Sequence, residues 1–417
     1  MHEIMMTASG LNALKEELEY LKVTGRQEIK EKIQVALSFG DLSENAEYDE
    51  ARNDQGKLEA RISELEQLIS NAKIIDEGSL SNDVISIGSK VSIKYIDDSG
   101  KGGQIFEYHL VNSNSSLGKE SGAAIASDDS PVAKALIGLS DLKIISFGPR
   151  PLNFLACNAP IKQLYNLGVE IEENSELDLL VSFKEHENDP RIDEVCADMA
   201  KEMGEGCYYA DLNRRMAQFE LTLLDWAENH KGARKYVAFA NKCWPAFPSQ
   251  FGFEPCYVNS RLASRGIPVS CEVDIYGALS EYIGACISGD AVTLLDINNS
   301  VPQYIYDEDI KGKYDYTLTD TFMGFHCGNT PECKMCASRA VKYQLIQHRL
   351  LEPAGSEPDF TRGTLEGDIA ASNITFYRLQ CDSDGILRSY IAEGEVLDVP
   401  TRSFGGIGVF AIKPKRG

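Results

Sequence analysis

Three carboxylates fall within the seven residues Asp41-Leu42-Ser43-Glu44-Asn45-Ala46-Glu47. Oxygen ligands gathered at the end of a rod can be carried into a partner's cavity, where they help hold a hard divalent cation such as Mg²⁺. The same stretch also reads as a helix start. Gly40 ends one helix, Asp41 caps the next, and Glu44 reaches back as in a capping box. A second pair, Glu272 and Asp296, stands at two predicted strand ends, where a base and a metal ligand can act on a carbonyl compound. Two carboxylates so far apart along a chain are more often surface or capping groups. Cys333 and Cys336, following His326-Cys327, have the Cys-x-x-Cys spacing of half a zinc site. No second pair follows at the usual interval, and buried free thiols, common in cytosolic domains, are the favoured reading of such cysteines.

The elements that must carry these residues differ along the chain. In residues 8–75, Leu11, Leu14, Leu18 and Leu21 recur at helical spacing, as do Leu58, Ile62, Leu65 and Ile69. Both are apolar seams on otherwise charged helices, and neither can be buried alone. The break from Leu37 to Ser43 is short, so the helices are predicted to be antiparallel neighbours. Each arm would span about 40 Å, a finger with its tip near Gly40. Val91, Ile93 and Tyr95 then alternate with polar residues, and Ile105 to Val111 is a second strand, across the turn Asp97 to Gly103.

From about Asp141 the pattern becomes α/β. Lys143 to Phe147, Tyr236 to Ala240 and Val292 to Leu295 read as short buried strands, with a helix carrying Met216, Phe219, Leu223 and Trp226 between them. Strands alternating with helices imply a largely parallel sheet with ligands at the strand ends. Beyond Thr361 the pattern is β-rich, with strands over Ile374 to Leu379, Ile386 to Ile391 and Gly408 to Ile412, and no obvious closing element after them.

Composition bounds the function. The chain has 417 residues, 43% hydrophobic and 25% charged, and a formal net charge of −23. That length favours several domains, and that acidity excludes attachment to nucleic acid by bulk charge alone. No run reaches the roughly 18 apolar residues of a membrane span, and the N-terminus lacks a signal-peptide pattern, so a cytoplasmic protein is expected. All eleven cysteines lie at or after Cys157. That asymmetry suggests two joined pieces of different origin.

Residues 1–139 resemble the GreA/GreB transcript-cleavage factors of bacterial RNA polymerase. The matching stretches are Met6-Thr7-Ala8 with Gly10, Gly40 to Tyr48, Gln55-Gly56, Arg61-Ile62, Ser70-Asn71-Ala72 with Ile75-Asp76, Ile87 to Val91, and Ser130 to Gly138. The resemblance implies a coiled-coil finger (residues 1–77) and an FKBP-like polymerase-binding domain (78–139), truncated because the match stops near Leu139. It further implies that the finger enters the polymerase secondary channel and reaches the nascent RNA 3′ end. There the tip pair Asp41 and Glu44 would help position Mg²⁺ and the attacking water while the polymerase cleaves backtracked RNA. Arg52 matches a basic position flanking the tip, a place for nucleic-acid contact. The basic residue common in the family's last turn before the tip is missing from Ala36 to Phe39.

Residues 141–417 resemble part of an L-fucose/L-arabinose isomerase. The resemblance rests on Cys271 to Leu279, Leu295 to Asn299, Phe325 to Asn329 and Thr361 to Gly367. It implies an α/β middle domain (141–345) and a partial C-terminal domain (346–417). The family's aldose–ketose chemistry would use Mn²⁺, with Glu272 and Asp296 in coordination and proton transfer and His326 as a further ligand. The family's late metal-binding histidine has no counterpart in residues 349–417. An elongation factor is therefore expected, its second part an inactive sugar-isomerase fragment. The alternatives are a sugar isomerase with a replaced first domain, or a junction near Leu139 created in gene prediction or assembly.

Overall fold

The structure is a computed structural model. It describes residues 4–38, 46–75, 89–96, 102–111, 124–127 and 139–413, apart from residues 153, 159, 208 and 299. It falls into two compact units, Met1–Gly138 and Leu139–Gly417.

The first unit opens with strand β1 (Ile4–Thr7) and helix α1 (Ala8–Tyr20). A π-helical turn, Leu21–Gly25, leads without a break into α2 (Arg26–Ser38). Helix α3 (Ala46–Ser70) returns, and β2 (Ala72–Ile75) follows. The two seams meet as expected. Leu11, Leu14 and Leu65 are buried together, with Leu18, Leu21 and Ile69 packed against them. Arg26 pairs with Glu59 at 2.7 Å and Lys32 with Asp54 at 3.0 Å, so residue numbers rise on one arm as they fall on the other. The sequence reading carries helix to residue 75. Instead the chain leaves the helix after Ser70, and β2 pairs in parallel with β1, Ile4 opposite Ala72. A parallel pair needs a long crossover, and the whole hairpin supplies it.

Strands β3 (Lys90–Ile96) and β4 (Gly102–Val111) form the expected antiparallel pair. Strand β5 (Ala124–Ser127) joins β4 in parallel and completes a three-stranded sheet among the described residues.

The second unit is built on two sheets. Its first strands and helices are β6 (Leu142–Phe147), β7 (Glu170–Asn174), α4 (Glu176–Glu185), α5 (Ile192–Met203) and α6 (Asn213–His230). They are followed by β8 (Tyr236–Ala240), α7 (Cys256–Ser264), β9 (Val269–Ser270) and α8 (Ile275–Ser288). The four strands form a wholly parallel sheet in the order β7-β6-β8-β9. Both faces of β6 are covered. Ile145 and Phe147 face the core shared with Phe183, Met216, Phe219 and Trp226, while Leu142 and Ile144 face Ala278, Leu279 and Tyr282. A parallel sheet buried on both faces reads as a continuous apolar run, which is why this strand is visible in sequence. Leu139 is packed in the second of these cores.

The remaining strands are β10 (Asp296–Asn298), β11 (Thr321–His326), β12 (Ala340–Tyr343), β13 (Arg362–Asp368), β14 (Ser372–Cys381), β15 (Leu387–Leu397) and β16 (Gly406–Ile412). Two expectations are corrected here. Val292 to Leu295 is not a strand; the short run is extended coil, and β10 begins just after it. The last strand is not an unfinished edge either. Strand β16 is the hub of the sheet, antiparallel to β11 and β15 and parallel to β13. Its run Gly406 to Ala411 is buried throughout, so this strand lies in the core of the sheet.

Candidate functional site

The finger's acidic pair, Asp41 and Glu44, lies outside the described residues. The described flanks are Ser38, the end of α2, and Ala46, the start of α3. Arg52 is exposed on α3, and its Nη1 donates to Gln55 Oε1 at 2.6 Å. Nothing else described holds it.

In the second unit, Glu272 follows β9 at the carboxyl end of the parallel sheet, where ligands of α/β folds are received. The turn is strained: Glu272 has φ +61° and Val273 φ +52°, in the left-handed region. Such residues cost about 1–3 kcal/mol each and persist only where their surroundings hold them. Here Val273 N–H donates to Asn241 O at 2.8 Å, and the Asn241 and Asn259 side chains donate to each other at 3.0 and 3.1 Å. Asp296 does not end a strand as expected. It opens β10, opposite Phe325 of β11, and so stands beside His326 at that strand's end.

The three groups sense one another. Desolvation pushes Glu272 up to about 7, opposed by the His326 charge. Desolvation also raises Asp296, again against His326. Burial disfavours the charged imidazole of His326, but the contact with Cys327 and the Asp296 and Glu272 carboxylates outweigh it and push it up to about 10. Glu272 Oε2 and His326 Nδ1 are buried without a hydrogen-bond partner. In kind, these donors suit an oxygen- and nitrogen-loving ion such as Mn²⁺. In geometry they do not converge. Among the described residues, the ligand sets that close within 4.8 Å are Cys243–Cys271–Glu272, Cys243–Glu254–Cys256 and His186–Asp189–Asp225. The last is already neutralised by Arg191, whose Nη2 lies 2.6 Å from both aspartates. The residues therefore do not complete the sugar-isomerase metal site.

Two nearby groups escaped the sequence reading. Asp274 caps α8 by accepting from Gly277 N–H at 2.8 Å, and it pairs with Arg378 of β14 at 2.9 Å. Glu281 of α8 is buried, and desolvation pushes it up to about 8. The pairing of Asp274 with a residue 104 positions away leaves no local signal. Cys333 is exposed and joins no ligand set with Cys336 among the described residues, so the Cys-x-x-Cys reading is not supported.

Residues 4–74 match the family model described as transcription elongation factor, N-terminal. Transcription elongation factor GreA of Clostridium acetobutylicum is 51% identical over 135 residues, which is 32% of this chain and 80% of that protein. The chain belongs to the GreA family. The membership is carried by the N-terminal unit. GreA of Clostridium novyi is 48% identical over 136 residues, 33% of this chain and 81% of that protein. GreA factor homolog 1 of Thermus thermophilus, a crystal structure, is 27% identical with a TM-score of 0.19, covering 33% of this chain and 83% of that one. Residues 324–414 match the L-fucose isomerase, C-terminal domain, model. That match contains His326 but neither Glu272 nor Asp296. Among the described residues, no helix is long and apolar enough to cross a membrane.

Proposed function

We propose that this chain is a transcription elongation factor that binds bacterial RNA polymerase through its N-terminal unit and stimulates cleavage of backtracked RNA. The observation that carries the reading is identity of 51% to a GreA protein over 135 residues, a span long enough to take in hairpin and small sheet together. In this reading β3, β4 and β5 belong to a shortened FKBP-like domain that docks on the polymerase. The hairpin enters the secondary channel, Asp41 and Glu44 meet the polymerase's Mg²⁺, and Arg52 lies near the transcript. The acidic surface is compatible with this role, because the finger reaches RNA through the polymerase and not by bulk attraction.

The test uses stalled, backtracked elongation complexes and the full chain. Cleavage should accelerate with the wild type and fall to the unassisted rate with Asp41→Ala combined with Glu44→Ala. Equal rates for both proteins would refute the role of the tip.

The second reading, a metal-dependent sugar isomerase, draws on the electrostatic grouping of Glu272, Asp296 and His326. Because those donors do not close on an ion, we expect no Mn²⁺-dependent conversion of L-fucose or L-arabinose. Turnover abolished by Glu272→Gln would restore that reading.

A further inference from the structure

Four side chains from three separate stretches bring their heads together inside the second unit. Cys243 follows β8, Glu254 and Cys256 lead into α7, and Gln347 sits in the first turn of the helix Leu345–Leu351. All four are buried: Cys243 and Cys256 are 1% exposed, Glu254 0% and Gln347 5%. The sulfurs of Cys243 and Cys256 and a carboxylate oxygen of Glu254 all lie within 4.8 Å of one another. The Gln347 amide closes the group, its Nε2 3.4 Å from Cys243 Sγ and 3.4 Å from Glu254 Oε2.

We propose that Cys243, Cys256 and Glu254 bind a single zinc-type ion, with the Gln347 amide oxygen as the fourth ligand. Two thiolates select a borderline ion over the hard ions that oxygen sets prefer, and zinc accepts carboxylate oxygen beside sulfur. The spacing fits. Around a tetrahedral zinc, with sulfur at about 2.3 Å and oxygen at about 2.0 Å, a sulfur and an oxygen stand about 3.5 Å apart and two oxygens about 3.3 Å. The end of the Gln347 amide already stands at that separation from Cys243 and from Glu254. Half a turn about its last bond presents Oε1 there in place of Nε2.

The unmet polar atoms point the same way. Glu254 Oε1 and Gln347 Oε1 are both buried without a hydrogen-bond partner. Both are acceptors, the thiols beside them are weak donors, and burying two unanswered acceptors together is expensive. A cation among them answers both. The backbone that carries the ligands is also fixed. Glu254 N–H donates to Arg362 O at 2.7 Å, and Gln347 N–H donates to Gln344 Oε1 at 2.7 Å. Cys256 opens α7, where the helix dipole favours a thiolate. Cys271 is a neighbour outside this set: its Sγ is 3.9 Å from that of Cys243, and with Cys243 it closes on Glu272 instead. The Glu254 set is the one that gains a fourth head, from Gln347.

Four protein ligands and no open position make a structural site. As the ion binds, the two thiols and the carboxyl release their protons to solvent, so affinity rises with pH. The ion would tie the end of β8 to the start of α7 and to the helix Leu345–Leu351. The site stands whether or not the chain acts on polymerase.

The experiment titrates the reduced, full-length chain with Co²⁺ under anaerobic conditions. The expected result is one equivalent of Co²⁺ producing a thiolate-to-cobalt charge-transfer band, displaced by one equivalent of Zn²⁺. Cys256→Ser should weaken binding at least a hundredfold and Glu254→Gln at least tenfold, whereas Cys271→Ala and Cys333→Ser should leave it unchanged. Should Cys256→Ser fail to fold, X-ray absorption at the zinc edge of the wild type decides, through two sulfurs at about 2.3 Å and two oxygens at about 2.0 Å. Absence of the charge-transfer band, a shell of oxygen alone, a shell of four sulfurs, or undiminished binding by Glu254→Gln would overturn the assignment.

Discussion

The guanidinium of Arg61 grips both carboxylate oxygens of Glu17 across the two arms of the hairpin, at 2.9 and 3.2 Å. The pair fixes the register of α3 on α1, yet it is partly open to solvent. Exposed pairs of this kind contribute at most about 1 kcal/mol. Leu65, fully buried between the arms, carries more. Leu65→Ala should cost about 2–4 kcal/mol and Arg61→Ala under about 1 kcal/mol. Hydrogen exchange of the α3 amides in denaturant reads both, and equal losses would mean that the ion pair, not the seam, holds the finger.

Among the described residues, Arg52 is exposed and bonded only within its own helix. Arg52→Glu should therefore change unfolding by no more than about 0.5 kcal/mol. It should nonetheless slow stimulated RNA cleavage several-fold if that side chain meets the transcript. An unchanged cleavage rate would remove it from the contact surface.

Arg261 is 1% exposed and answers three carboxylates: Glu220 at 2.7 Å, Glu202 at 2.8 Å and Asp198 at 2.9 Å. Removing it leaves the buried Glu220 carboxyl without its ion-pair partner. Arg261→Ala should cost about 3–5 kcal/mol in thermal unfolding of the second unit. Arg261→Lys should rescue little, since a point charge cannot answer three acceptors in the guanidinium plane. Full rescue by lysine would contradict the planar-fork account.

Glu281 is buried within electrostatic reach of His326, Asp274 and Arg378, and burial pushes it up to about 8 from an ordinary value of 4.5. Between those values the folded chain binds more protons than the unfolded one, so stability from this group falls as pH rises from 4.5 to about 8. The full shift corresponds to something on the order of 4–5 kcal/mol. Glu281→Gln should flatten that part of the pH–stability curve and be the more stable protein above pH 8. Parallel curves for the two proteins would show that Glu281 ionises freely.

Gly363 has φ +120°, and a Cβ there would stand 2.5 Å from Glu254 O. The strand is pinned at this crossing, where Glu254 N–H donates to Arg362 O at 2.7 Å. Gly363→Ala must move backbone and should cost at least about 1–3 kcal/mol in thermal unfolding. A neutral substitution would show that β13 can slide away from Glu254.

Much of this was legible from local pattern. The leucine seams of α1 and α3, the apolar run of β6 and the alternation of β3 each state their own environment, because helix and strand periods put fixed positions on one face. The resemblance to GreA was legible for the same reason: its motifs are short, local and in order. What the linear chain left undetermined depends on distance. The parallel pairing of β1 with β2 closes only after the hairpin between them is made. The last strand looks like a loose end until β11, β13 and β15 bond to it. Asp296 comes to lie opposite Phe325, next to His326, because β10 and β11 are antiparallel, yet with Glu272 these groups stop short of a metal site. The sequence alone determined which residues are capable of chemistry; the tertiary structure decided which of them meet, because contacts between strand ends are made by chain crossovers whose lengths carry no period to read.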